Sequence, residues 1–508
     1  MKPVTNEAML ITYADSLGGD LRQLEQLLDG ELAGAFGGVH VLPFYPSSGD
    51  RGFAVVHYDT VDPRLGTWDD VARLAEKYTV MADFMINHVS IRSAEFQDYL
   101  AHGDASPHRD MFIHWDEFWP GGSPTAEDLE TLYSRREGGP VRTFTLADGT
   151  DVQLWSTFFA EQVDVDPFAD ATQAHYRRTL GRLAQLVPII RFDAFAYASK
   201  RPGTSCFFVE PEVWQVLEIG REPLREAGTQ VLPEVHERYE LQLAMAERGL
   251  WVYDFALPML TLHALMTGRT DRLAHWLCIC PRTQFTTLDT HDGIGVVDVA
   301  GLLSDDEVDL VSERVTAVIA DSRHLVTGRE PVIRRGSGQP RRYQLMCSFH
   351  AALGSDDDAH LLARVLQLFV PGIPQVYYVG ALFGGNDLEA LAAVGDPRAI
   401  NRHDYTADEV RERVTHPHVA LFLDVLRWRN TCTAFEGDLT VTESSDDGAP
   451  GGLLLRWTNG GQTAELLADL AARSWTITAT TPDQGDDEAL VALFRSLRPS
   501  TEDRGAGG

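Results

Sequence analysis

The chain has 508 residues, enough for a large core and more than one domain. It carries 43 Lys plus Arg against 75 Asp plus Glu, a net charge of −32, and a surface this acidic makes nucleic acid and anionic membranes poor partners. The five cysteines, at 206, 278, 280, 347 and 432, are odd in number and lack zinc-site spacing, which predicts free thiols in a reducing compartment. MKPVTNEAML has no basic-then-apolar leader pattern, and no run reaches the roughly 18 apolar residues of a membrane helix, so a cytoplasmic location is expected.

Apolar runs of strand length alternate with amphipathic segments through the first three quarters of the chain. GGVHVLPF (37–44) predicts a buried strand, and TWDDVARLAEKY (67–78) a helix capped by Thr67. Further strands are predicted in VMADFMINH (80–88), PIIRFDAF (188–195), TQVLPEVH (229–236), WVYDFALP (251–258), QFTTLDTHD (284–292) and PQVYYVG (374–380). ATQAHYRRTLGRLAQL (171–186) and PEVWQVLEIGREPLREAG (211–228) read as helices between them. Continuous apolar strands, each followed by a helix, predict a parallel sheet covered on both faces. About eight such units close most economically as a (β/α)8 TIM barrel.

Two stretches interrupt the alternation. Residues 89–166, polar and punctuated by Gly and Pro, predict an insert after the third strand. Residues 293–355 predict a second, containing the helical SDDEVDLVSERVTAVIADS (304–322) and the Arg-rich QPRRYQLMCS (339–348). Beyond HPHVALFLDVLRWRN (416–430), GDLTVTES and LLLRWTN flank SDDGAPGG and predict a β-hairpin that opens a small C-terminal β-domain. The expected division is a barrel from 1–88, 167–292 and 356–434, inserts at 89–166 and 293–355, and a C-terminal domain at 435–508.

In such a barrel, chemistry sits where the strands end. Three predicted strands end in a carboxylate with polar company: Asp193 in RFDAF, Glu234 in PEVH and Asp292 in DTHD. Any one of them could simply close a strand as a turn former. Arg191 lies two residues before Asp193, on the same strand face, and should lower its pKa as a nucleophile requires. Glu234 follows the apolar VLP, where desolvation should raise its pKa and suit it to donate a proton. One ionised nucleophile and one protonated acid are what retaining glycoside chemistry needs.

The strings GFAVVHYDTVDPRLGTWDDV, INHVS, IIRFDAFAYASKRPGTSCF, EVHERY, LDTHDGIGVVDV, PGIPQVYYVGAL and INRHDY resemble the sucrose phosphorylase subfamily of the α-amylase superfamily (glycoside hydrolase family 13). The likeness runs from about residue 10 to 435 and weakens in the C-terminal domain. It implies a barrel in which the two inserts are the family's B and B′ domains. It further implies Asp193 as nucleophile, Glu234 as general acid and then base, and Asp292 as stabiliser of the transition state. Asp50, His88, Arg191, His291 and Arg402 match glucose-binding positions, with Phe53 and Phe158 as apolar platforms and Gln162 nearby.

The resemblance also implies that His236 and Arg136 hold inorganic phosphate, so that β-glucosyl-Asp193 becomes α-glucose 1-phosphate with net retention. One loop departs from ordinary sucrose phosphorylases: their Asp-Leu-Tyr-Gln becomes Arg341-Arg342-Tyr343-Gln344, and Arg135 stands where proline is usual. These arginines are either solvated surface groups or an anion site for the acceptor, and planar guanidinium suits phosphate. The loop pattern resembles the sucrose 6F-phosphate phosphorylases more than plain sucrose phosphorylase. It implies sucrose 6F-phosphate as donor and fructose 6-phosphate as product. Alternatives are plain sucrose, then glucosylglycerate or glucosylglycerol, or a hydrolase or glucosyl isomerase on the same scaffold. No metal or cofactor motif is present, so no cofactor is expected and the partners are a sugar and inorganic phosphate. Homodimers are common in the branch.

Overall fold

The computed structural model describes residues 2–135, 139–319, 332–333, 341–444, 451–480 and 490–497. Eight parallel strands form a nearly closed barrel: β1 (Met9–Thr12), β2 (Gly38–Val41), β3 (Thr79–Met85), β4 (Ile189–Asp193), β5 (Gln230–Pro233), β6 (Val252–Asp254), β7 (Gln284–Thr286) and β8 (Ile373–Tyr377). They hydrogen-bond in the order β6-β7-β8-β1-β2-β3-β4-β5, leaving β5 and β6 as the unbonded neighbours. Their residues are almost all buried, because side chains on one face fill the barrel and those on the other meet the surrounding helices. Met9, Met81, Ile189, Leu232, Tyr253, Phe285 and Ile373 pack together inside it. Several of these open their strands, so the apolar plug sits at the end away from the strand C-termini.

The helices form where their signals stand. Thr67 caps Trp68–Lys77 in a capping box with Asp70, and Ser304 does the same with Glu307 for Asp305–Val318. Asp170–Leu183 and Glu212–Arg221 occupy the predicted helical stretches. Strands are shorter than their apolar runs suggest. The run at 251–258 turns helical from Leu257, after the Asp254 carboxylate accepts from the Leu257 amide at 3.0 Å. β1 was not among the expected strands, since four apolar residues show too little of a period to stand out.

Between β3 and β4, His88–Ser90 pairs antiparallel with Gln162–Asp164, and the hairpin Val141–Thr145/Asp151–Trp155 packs beside a cluster of Trp115, Trp119 and Trp155. Between β7 and β8, Ile294–Gly295 pairs with Gln344–Leu345, and Val332–Ile333 with Arg341–Arg342. The C-terminal part is an antiparallel sheet of β9 (Asp438–Ser444), β10 (Gly452–Asn459), β11 (Gln462–Asp469), β12 (Ser474–Thr480) and β13 (Leu490–Arg495) in chain order. Its strands alternate as a one-sided sheet must: Leu453, Leu455 and Trp457, then Ala464, Leu466 and Ala468, face inward. Trp457 donates its indole N–H to the Phe369 carbonyl at 2.9 Å, which ties this sheet to the barrel helices. Among the described residues, no helix is long and apolar enough to cross a membrane.

Candidate active site

The barrel strands deliver the expected carboxylates to one pocket, by different routes. Asp193 closes β4. The β4–β5 register pairs Phe192 with Pro233, so Glu234 stands beside Asp193 at the next step. Asp292 is six residues beyond the end of β7, on a loop rather than a strand. The expected strand at 284–292 stops early because Asp289 turns away into a fully buried pair with Arg364, at 2.6 Å, and a Thr290–Gly293 turn then presents Asp292. Backbone strain marks two of these places. Ala194 sits at φ 54° directly after Asp193, and its amide donates to Glu234 Oε2 at 2.9 Å. Asp50 and Arg51 lie at φ 52° and 46° in a turn completed by Gly52, where a Cβ would stand 2.6 Å from the Pro43 carbonyl oxygen.

Asp50, Phe53, His88, Phe158, Gln162, Asp193, Glu234, His236, His291 and Asp292 line the same cavity, joined on one side by Arg135, Tyr343 and Gln344. Arg191 and Arg402 lie behind the wall. Arg191 reaches Asp193 at 2.8 Å through Nη1 and Glu234 at 3.0 Å through Nη2. Arg402 donates to the His291 carbonyl at 2.8 Å and stands 3.5 Å from Asp292. Gln162 donates to Asp50 at 3.2 Å, and the Phe53 ring stacks on His291 with centroids 4.9 Å apart. His88 bonds the Phe53 carbonyl at 3.1 Å and meets the Phe158 ring edge-on. Arg136 lies outside the described residues. Arg341 and Arg342 are described only as the backbone of a short strand.

Several groups at this site were not anticipated. Arg398 bridges Asp50 and Asp292, at 3.2 Å to each, and lies over the Phe159 ring. It stands in DPRAINRHDY, four residues before Arg402, and no local period marks which of the two arginines reaches the pocket. Asp83, fully buried inside the barrel, pairs with Arg191 at 2.5 Å and His40 at 2.8 Å, and so aims Arg191. A lone aspartate inside the apolar run VMADFMI could have signalled it, and the β3–β4 register pairs Asp83 with Arg191 directly. Asp298 holds His236 Nδ1 at 3.2 Å, and Phe255 stacks on the same imidazole at 4.0 Å.

The shifts of the central pair run in directions opposite to those expected, Glu234 down and Asp193 up. Burial acts to raise the Glu234 pKa, but Arg191 and His236, whose Nε2 is 3.5 Å away, outweigh it and hold the carboxyl well below the usual range. Asp193 is pushed well above its usual range by burial and by the negative charge of Glu234, with Arg191 only partly offsetting them. Arg191 is shared between both carboxylates rather than reserved for Asp193, and Glu234 has a second cation that VLP did not reveal. Arg191 and His236 thus favour the ionised form of Glu234, and burial beside that charge disfavours the ionised form of Asp193. Asp292 is held low: burial opposes this, but the Arg398 and Arg402 guanidinium groups prevail. Burial drives His291 down to about 3, so it is a neutral donor and acceptor. His236 behaves oppositely. Burial lowers it, but Asp298 and Glu234 lift it to about 9, so it is a cation at neutral pH.

A parallel barrel with three carboxylates at its mouth, two of them sharing an arginine, can divide glycosidic-bond chemistry between a nucleophile and an acid. Residues 14–202 match the family described as "Alpha amylase, catalytic domain". A sucrose phosphorylase of Streptococcus mutans is 46% identical over 437 residues, covering 86% of this chain and 90% of that one. A glucosylglycerol phosphorylase of Marinobacter adhaerens is 38% identical over 490 residues, covering 96% and 99%. The crystal structure of sucrose 6F-phosphate phosphorylase from Thermoanaerobacter thermosaccharolyticum superposes with a TM-score of 0.90 at 37% identity, covering 97% of this chain and 99% of that chain. The chain belongs to the α-amylase family and, within it, to the glucoside phosphorylases, enzymes of glycosyltransferase type.

Proposed function

We propose that this phosphorylase takes sucrose 6F-phosphate and inorganic phosphate to α-glucose 1-phosphate and fructose 6-phosphate by double displacement. Asp193 attacks the anomeric carbon, Glu234 protonates the leaving oxygen, and Asp292 faces the positive charge that develops on the sugar ring. Phosphate then takes the glucosyl group from Asp193, and two inversions leave net retention. Asp50, His88, Gln162 and His291 hold the glucose hydroxyls between the Phe53 and Phe158 rings, while Arg191 and Arg402 act from behind the wall by orienting Asp193, Glu234 and Asp292. Residues 89–166 and 293–355 act as inserted domains that carry the acceptor side, with Arg135, Arg136, His236, Arg341, Arg342, Tyr343 and Gln344 as its binding groups. Attack needs Asp193 ionised and Glu234 protonated. An anion that engages His236 draws that cation off Glu234 and so raises the Glu234 pKa toward what an acid needs.

One observation supports an anionic acceptor above the rest. The Arg135 guanidinium lines the pocket, stacks on the Tyr343 ring at 3.7 Å, and keeps Nη1 buried with no hydrogen-bond partner among the described residues. A buried unpaired guanidinium donor is costly, and a ligand phosphate would satisfy it. A charged hydrogen bond contributes roughly 1.5–3 kcal/mol, about ten- to a hundredfold in affinity. The expected result is a much higher kcat/KM on sucrose 6F-phosphate than on sucrose. Arg135→Ala should erase that preference by about ten- to a hundredfold while changing sucrose turnover little. Equal or better activity on plain sucrose would instead favour sucrose itself as the donor, the activity named for the Streptococcus relative. Activity on glucosylglycerate or glucosylglycerol alone, or glucose release independent of phosphate, would overturn both.

The His236 cation makes a second test. Its pKa is raised, so its charge is complete at neutral pH and is lost as pH climbs through about 9. KM for phosphate should rise about tenfold or more across that interval. Asp298→Asn removes the largest raising influence, so the inflection should move down toward the ordinary imidazole range near about 6.5. A KM for phosphate that stays flat through pH 9 would remove His236 from the anion site.

A further inference from the structure

We propose that Asp357, His416 and His418 form a binding site for a divalent transition-metal ion of the zinc class, separate from the sugar pocket. One carboxylate oxygen of Asp357 and one ring nitrogen of each histidine lie within 4.8 Å of one another. Donors on a tetrahedral zinc-type ion stand roughly 3.4 Å apart, so small side-chain rotations complete the geometry. The surroundings are those of a metal site. Asp357 Oδ2 is 3.7 Å from His416 Nε2, and its other oxygen is held by His350 Nε2 at 2.9 Å. His418 pairs Nε2 with Asp358 at 3.0 Å, and its Nδ1 is buried without a hydrogen-bond partner among the described residues. Metal-ligating histidines are commonly oriented by such a carboxylate.

The backbone presents these groups from two helix starts. Asp357 opens Asp357–Phe369, while His416 caps Pro417–Thr431 and His418 follows the proline, whose fixed φ orients the pair. Two helix N-termini alone would disfavour a cation, but Asp357 and Asp358 together balance a 2+ charge. Phe383 closes the inner side, its ring 6.0 Å from His350 and 6.2 Å from His418. Two imidazoles and one carboxylate suit zinc, nickel or cobalt rather than magnesium or calcium. The ion ties Asp357–Phe369, the helix that precedes β8, to Pro417–Thr431, and its effect is on stability rather than turnover.

The full chain, stripped with a chelator and titrated with ZnCl2 in a calorimeter, should take up one ion and gain thermal stability. His416→Ala, a change at the surface, should weaken binding about 100-fold, and Asp358→Asn, which loosens only the hold on His418, about tenfold. Cobalt loading should give the visible absorption of a four-coordinate N/O site in the parent chain and not in His416→Ala. Metal-free melting of the variants matching the parent shows that the fold is intact, and glucose 1-phosphate synthesis should be unaltered. Absence of zinc uptake by the parent chain overturns the site. So does uptake undiminished in a His416→Ala/His418→Ala double variant.

Discussion

Asp193→Asn is expected to abolish glucose 1-phosphate formation, with kcat lower by about 10⁴-fold or more. The amide retains the shape of the carboxylate and can still meet Arg191 but cannot form a glucosyl ester. The loss should therefore be equally deep with every glucosyl donor, including α-glucosyl fluoride, whose leaving group needs no proton. Removing one charge from a buried, arginine-bridged pair also changes stability, so the melting temperature belongs beside the rate. A folded Asp193→Asn enzyme that keeps more than about a hundredth of the parent kcat would remove Asp193 as nucleophile.

Glu234→Gln is expected to behave differently. Loss of a general acid costs typically about 10²–10⁴-fold when the leaving group is a sugar alkoxide. Fluoride departs unaided, and phosphate already carries the negative charge that a base would otherwise create. Phosphorolysis of α-glucosyl fluoride by Glu234→Gln should thus stay within about tenfold of the parent, while turnover of the disaccharide collapses. The contrast between donors separates an acid from a residue that merely shapes the pocket. Equal losses on both donors would sink the assignment. Glutamine also removes the negative charge that pushes the Asp193 pKa up, so the acidic limb of the fluoride profile should move to lower pH. That limb reports Asp193 losing its proton, and depression of the folded-site pKa extends activity downward in pH.

Much of the barrel was legible because its signals are local. A buried strand is a short apolar run, a helix start is Thr67 or Ser304 with an acid three residues on, and a one-sided sheet alternates as LLLRWTN does. The carboxylates were legible for the same reason, each standing at or just beyond an apolar run. Their surroundings were less so. Asp292 reads as a strand end, yet it depends on Asp289 being drawn to Arg364, seventy-five positions away. The acceptor loop was legible only as composition. Its arginines are plain in the chain, but burial of Arg135 against Tyr343 joins two separate inserts.

The sequence by itself determined the alternation of strands and helices, the β-character of the C-terminal part, and which carboxylates and aromatics are available to a sugar. These follow from periodicity and chemical type, properties of neighbours along the chain. Tertiary structure decided which cations those carboxylates meet. Arg191 bonds Asp83 across 108 positions, His236 bonds Asp298 across 62, and Arg398 bonds Asp50 across 348. Only in the fold does Arg191 serve both Asp193 and Glu234 and His236 approach Glu234, which lowers the Glu234 pKa. The reason is electrostatic: inside a barrel, away from water, a carboxyl's proton affinity depends on charges a few ångströms away in space. Separation along the chain carries no record of that distance.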